Sequence, residues 1–205
     1  MNRREWYFIR HGQTEYNNKG IVQGSGIDSE LNEHGLKQAH AFYRSYKEIP
    51  FQLLIASGLQ RTRQTIQPFA RQGIPILRDS TINEMHWGIY EGKSASVDMK
   101  DAYQHMVTSW KAGNYEVRAE GGESMVELST RLNGFIERLK RKPQEKVLIC
   151  SHGRTLRCMI ALLRNGNLEG MEDNKHTNTG LYKVIYENGK TRIELENDSS
   201  HLEHL

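Results

Sequence analysis

The sequence is poor in residues that cross-link, interrupt or anchor a chain. Two cysteines and four prolines are all that its 205 residues contain. Cys150 and Cys158 fall in a strand-like and a helix-like segment of one unit, without the C-x-x-C spacing of a zinc site, and read as reduced packing residues. No tract rich in proline, serine or one sign of charge divides the chain, so a single domain over residues 1–205 is expected. No apolar run approaches the ~20 residues of a membrane span. Trp6–Ile9 is too short for a signal segment, whose removal would also take Arg10 and His11. These absences exclude disulfide scaffolds, zinc modules and helical membrane proteins, and the chain reads as cytoplasmic. A net charge of +3, with Lys and Arg spread along the chain, disfavours a nucleic-acid surface but suits a small anion.

What is present is an ordinary globular composition, 37% hydrophobic and 26% charged, organised in a repeated pattern. Three times a short apolar run passes through a polar junction into a helical stretch: Trp6–Ile9 into Arg10-His11-Gly12, Phe51–Ala56 into Ser57–Arg61, and Val147–Cys150 into Ser151-His152-Gly153. Continuous apolar strands alternating with helices predict an α/β fold, a mostly parallel central sheet covered on both faces. One helix should stripe Met125, Leu128, Leu132, Phe135, Ile136 and Leu139 behind a capping box of Ser124 and Glu127. A second should stripe Leu36, Ala39, Tyr43 and Tyr46 behind an Asn32 cap. Alternation around Asn188-Gly189 predicts a hairpin that adds antiparallel strands at the C-terminal end. Between Gly92 and Gly121, Met99, Tyr103, Met106, Val107 and Trp110 recur at helical spacing, as packing residues of an insert over the sheet edge or as a substrate box.

In an open α/β sheet, ligands sit where the loops leave the carboxyl ends of the strands. The polar cargo at the three junctions is Arg10 with His11, then Arg61, then His152. Taken singly, Arg61 could be a solvated helix residue and His152 an internally bonded histidine. Taken together they converge on one rim. Two guanidinium forks suit the oxygens of a tetrahedral phosphoryl group, and an imidazole can attack phosphorus or donate to a phosphoryl oxygen. Nothing in the set requires a metal or another cofactor.

These residues also carry a resemblance. "RHGQTEYN", "SGLQRTRQT", "NEMHWGIYEG", "GGES" and "ICSHGRTLR" resemble, in order and over nearly the whole chain, the landmarks of the histidine phosphatase superfamily, also called phosphoglycerate mutase-like. The closing "NDSSHL" resembles the family's usual end, although Leu202–Leu205 can also be read as a tag remnant. The resemblance implies a three-layer α/β/α sandwich with the 92–121 insert over the active site. It implies that His11 attacks a phosphomonoester and becomes a phosphohistidine, with Arg10, Arg61 and His152 holding the transferred group. Asn17, Gln23, Gly24 and Gly153 would add phosphate contacts, Gly12 and Gly153 by letting backbone approach closely. Glu84 would serve as general acid and base, because the position after the second histidine, an aspartate in some branches, is Gly153 here. Glu91 is expected to be structural.

Phosphoglycerate mutases carry Thr-Gly at Gln23-Gly24, paired arginines near Ser109-Trp110-Lys111 and a lysine near Gly92-Lys93-Ser94-Ala95, and these departures favour hydrolysis over mutase-type transfer. A non-catalytic module binding phosphorylated ligands is the alternative of another class. Trp87, Tyr90, Ile27, Arg154 and the insert could line the leaving-group side. The expected partner is a small phosphomonoester, with no nucleic acid and no membrane.

Overall fold

The apolar run near the start of the chain forms the middle of β1 (Arg4–Arg10), where Trp6, Tyr7, Phe8 and Ile9 are all buried. The computed structural model describes residues 3–94 and 96–205; Met1, Asn2 and Ala95, the last in the stretch compared with mutases above, lie outside the described residues. After β1 come a single turn, α1 (Glu15–Asn18), then α2 (Glu33–Tyr46), β2 (Leu53–Ala56), α3 (Gln60–Ala70) and the short β3 (Ile76–Arg78). The second half supplies α4 (Val97–Lys111), α5 (Met125–Lys140), β4 (Lys146–Ser151) and α6 (Gly153–Asn165). It ends in the pair β5 (Leu181–Glu187) and β6 (Lys190–Asp198).

The strands form one sheet in the order β3-β2-β4-β1-β5-β6. Pairing is parallel from β3 through β2 and β4 to β1, and antiparallel from β1 through β5 to β6. Successive side chains of a strand point to opposite faces, so the apolar runs feed two cores. Trp6, Phe8, Ile55, Val147, Ile149 and Val184 face a core shared with α4, α5 and α6. Tyr7, Ile9, Leu54, Leu148, Cys150 and Leu181 face Phe42 of α2 and Ile66 and Phe69 of α3. The result is the expected α/β/α layering. The hairpin turns at Asn188 and Gly189 with φ of 52° and 78°, the positive values that a tight two-residue turn needs at both positions.

Helix α5 follows its pattern closely: all six striped residues are buried, and Ser124 and Glu127 exchange both bonds of a capping box. Helix α2 starts at its Asn32 cap but buries a different stripe. Leu36 is 43% exposed, while Gly35, Gln38, Ala39 and Phe42 face inward. A Cβ on Gly35 would sit 2.0 Å from the Gln13 carbonyl oxygen, and Gln38 Oε1 accepts from Gln13 N at 2.8 Å. This contact with the loop after β1 turns the helix away from the register that hydrophobicity alone suggests.

β3 has only three residues, all exposed, at the sheet edge. It carries no periodic signal and escapes a reading by pattern. Helix α4 packs Met106, Val107 and Trp110 into the core of α5 and α6. Its Tyr103 and Trp110 meet Arg154 in the first turn of α6, the helix that follows the central strand β4. Both cysteines are buried and unbonded, and burial pushes the Cys158 thiol up to about 12. Among the described residues, no helix is long and apolar enough to cross a membrane.

Candidate active site

β1 and β4 lie side by side in parallel, with Arg10 opposite Ser151. The His11 amide donates to the Ser151 carbonyl at 3.0 Å. The two strands therefore release their histidines at the same level, and the rings of His11 and His152 stand 5.2 Å apart. His11 Nδ1 is 2.7 Å from the Gly12 carbonyl oxygen. A carbonyl can only accept, so Nδ1 carries the proton and Nε2 keeps its lone pair. Burial, then the charges of Arg61 and Arg10, hold the imidazole well below its ordinary pKa against a smaller opposing effect of the Gly12 carbonyl.

Arg61, in the first turn of α3, is fully buried. Its Nε donates to His152 Nδ1 at 3.2 Å, Nη1 to the Ile27 carbonyl at 2.6 Å and Nη2 to the Gly24 carbonyl at 3.3 Å. Three of its five N–H donors are thus committed to aiming the fork. Since His152 Nδ1 accepts, its Nε2 holds the proton and donates to Ser57 Oγ at 2.8 Å. The hydroxyls agree with this direction. Thr62 donates to the Leu59 carbonyl, so Ser57 donates to Thr62, and the Ser57 lone pairs receive the Leu59 amide and the imidazole.

Arg10 donates from Nη1 to the His176 carbonyl at 3.1 Å, while its buried Nε has no partner among the described residues. Burial lowers the pKa of both arginines, that of Arg61 to about 10, and the Glu84 carboxylate opposes the shift in each.

Glu84 is buried with its carboxylate at the N-terminus of α6. Oε1 accepts from Met85 N, Thr155 N and Thr155 Oγ1 at 2.9, 3.0 and 3.0 Å, and Oε2 from Arg154 N at 3.2 Å. The amides of a helix start are natural partners for an anion. Arg131 braces the turn from behind, donating to the carbonyls of Thr81, Asn83 and Glu84 and gripping Glu123 with two further bonds. This gives the "GGES" stretch a physical purpose: Glu123 fixes Arg131, and Ser124 starts α5.

The remaining expected residues border this centre. Asn17 Oδ1 receives Thr14 N and Asn178 Nδ2, each at 3.3 Å. Gln23 joins Thr14 Oγ1 at 2.8 Å to Ser29 Oγ, so its amide ties two loops together. Gly24 turns its carbonyl to Arg61, and Glu91 fills the space a side chain there would take, with a Cβ only 1.9 Å from Glu91 Oε1. Glu91 also accepts from Trp87 N at 3.0 Å, a structural role. Close backbone approach is real at Gly12, whose Cβ would lie 2.6 Å from the Gly35 carbonyl oxygen. At Gly153 a Cβ would meet Arg10 Nε at an ordinary 3.5 Å. Ile27 contributes its carbonyl to Arg61.

Reading the sequence missed three supports. Ser57 lay inside a quoted motif, where a serine bordering a strand was a usable signal. Thr14 caps α1 and is fully buried. Asn178 donates to the His11 carbonyl at 2.9 Å from a loop with no sequence signature.

Comparison with known proteins agrees with this geometry. Residues 6–199 match the model of the histidine phosphatase superfamily (branch 1). A Hydrogenobacter thermophilus protein named "Putative phosphoserine phosphatase 2" is 30% identical over 97% of this chain and 98% of its own. A Shigella dysenteriae protein named "Probable phosphoglycerate mutase GpmB" is 33% identical over 77% of this chain and 73% of its own. The crystal structure of the alpha-ribazole phosphatase from Shigella flexneri superposes with a TM-score of 0.82 at 23% identity, covering 95% of this chain and 96% of that one. Two strands that deliver adjacent histidines among arginines, and a family match over nearly all of the sequence, lead to one assignment: the chain belongs to the histidine phosphatase superfamily.

Proposed function

We propose that the protein hydrolyses small phosphomonoesters through a phosphohistidine on His11, without a metal. The observation that carries this reading is the bond from His11 Nδ1 to the Gly12 carbonyl, which leaves Nε2 as a free nucleophile. Nε2 attacks phosphorus as the ester P–O bond breaks, and the departing oxygen takes its proton from Glu84. Glu84 then removes a proton from water, which attacks the phosphohistidine; the P–N bond breaks, and inorganic phosphate and neutral His11 are restored.

Arg10 and Arg61 hold the equatorial oxygens through their uncommitted N–H groups. His152 lines the same space and orients Arg61. Asn17, Gln23, Gly24 and Gly153 complete the phosphate cradle, partly through the loops they tie together.

Rapid mixing with 32P-labelled substrate and an alkaline quench should trap an acid-labile, alkali-stable label on the wild type, and none on His11→Ala. Turnover should survive EDTA. Release of inorganic phosphate distinguishes hydrolysis from mutase-type transfer: enzyme charged with labelled bisphosphoglycerate that passes its label to monophosphoglycerate, without free phosphate, would overturn the hydrolytic reading. Equal rates for wild type and His11→Ala would favour a binding module instead.

A further inference from the structure

Three residues beyond Glu84, at Trp87, the chain enters the wall of a cavity of about 430 Å³, within the ~300–1,000 Å³ usual for small-molecule sites. Val22, Trp87, Tyr90, Met99 and Tyr103 supply most of the lining, with Lys100 and Gln104 as its polar members. Val22 directly precedes Gln23. Arg154 connects the cavity to the reacting centre: its amide donates to Glu84 Oε2 at 3.2 Å, and its guanidinium lies over the rings of Trp87 and Tyr103 at 5.9 and 5.8 Å. The group that protonates the departing oxygen and the aromatic wall are thus one residue's length apart, so the alcohol leaves on the cavity side.

The sequence places Arg154 among the residues that could line the leaving-group side, and the structure shows that it is not a free cation there. Arg154 is buried, pairs with Glu172, donates to the Tyr103 hydroxyl and lies 5.0 Å over the ring of Trp110. Its charge is neutralised and its faces are covered. Apart from the exposed Lys100 and Gln104, the described lining presents aromatic rings, a thioether and aliphatic carbon. A serine or glycerate head would lose hydration against these walls and gain few partners, whereas a ring would meet offset aromatic faces.

We infer that the alcohol portion of the substrate is an apolar, ring-bearing group, so that the natural ester belongs to the arylalkyl or similarly hydrophobic monophosphates. This rests on the hydrolytic reading above and narrows it. Lys100 at the rim leaves room for one acidic or carbonyl group at the far end of such a molecule.

Alkyl esters test this best, because their leaving oxygens are similarly basic. For the wild type, kcat/KM for 2-(1-naphthyl)ethyl phosphate should exceed that for glycerol 3-phosphate and for phosphoserine by roughly ten-fold or more. Met99→Asp should bring that ratio towards one, chiefly through KM for the naphthyl ester. Calorimetry on the wild type supplies a readout free of turnover and of any variant's folding: 2-(1-naphthyl)ethylphosphonate should bind roughly ten-fold tighter than methylphosphonate. Equal phosphonate affinities, or equal kcat/KM across the three esters, would overturn the inference while leaving hydrolysis intact. A retained phosphonate preference with no turnover of any ester would support the cavity as a binding site and overturn the hydrolytic reading.

Discussion

At the scale of single residues, the centre is a set of proton and donor directions. The Gly12 carbonyl sets one imidazole, and Arg61 and Ser57 set the other in the opposite tautomer. Arg61→Lys retains a charge but loses the fork that reaches His152, Ile27 and Gly24 together. We expect kcat/KM to fall by about 10²–10³, measured on any turned-over monoester alongside a circular-dichroism melt showing that the fold is kept. Arg10, His11, Arg61 and His152 were legible in the sequence because they lie at three strand-to-helix junctions, whereas Glu84 was legible only through the family resemblance. Asn178 was not, because a loop asparagine bonded to a backbone carbonyl and to the Asn17 side chain leaves no pattern. The pairing of Arg154 was not legible either, because its charge partner, Glu172, lies on a separate turn that only the fold brings near.

At the scale of elements, strands β1, β2 and β4 and helix α5 were readable because burial on both faces of a sheet, or along one helix stripe, leaves a continuous or periodic trace. β3 and the rotation of α2 were not. The first is three exposed residues, and the second is decided by the fit of Gly35 against Gln13. The capping box of α5 gives a prediction for this scale. Ser124→Ala removes the acceptor of the Glu127 amide and should cost about 1 kcal/mol, read as a lower urea midpoint at unchanged slope. Because Glu123 and Arg131 stay in place, activity should fall far less than for Arg61→Lys.

At the scale of the molecule, three histidines are folded in as neutral rings. Burial is the first cause for His11, His152 and His176 alike, with nearby arginines adding to it, and each is held well below its ordinary pKa. Above about pH 6.5, the value for an unfolded histidine, both states are neutral and this contribution to stability is fully present. Below it the unfolded chain takes up protons that the folded one refuses. Stability should then fall by about 1.4 kcal/mol per pH unit for each histidine until its folded pKa is reached. Urea midpoints between pH 8 and pH 5 measure this; a flat profile would contradict it.

The central pairing of β1 with β4 joins residues 4–10 to residues 146–151, and Arg61 and His152, which are joined by a hydrogen bond, are 91 residues apart in sequence. A ribosome therefore exposes His11 early and His152 late. A polypeptide arrested before His152 lacks the second imidazole, helix α6 and the amides that seat Glu84, so the site assembles only once α6 has been made, and a nonsense truncation short of His152 is expected to be inactive.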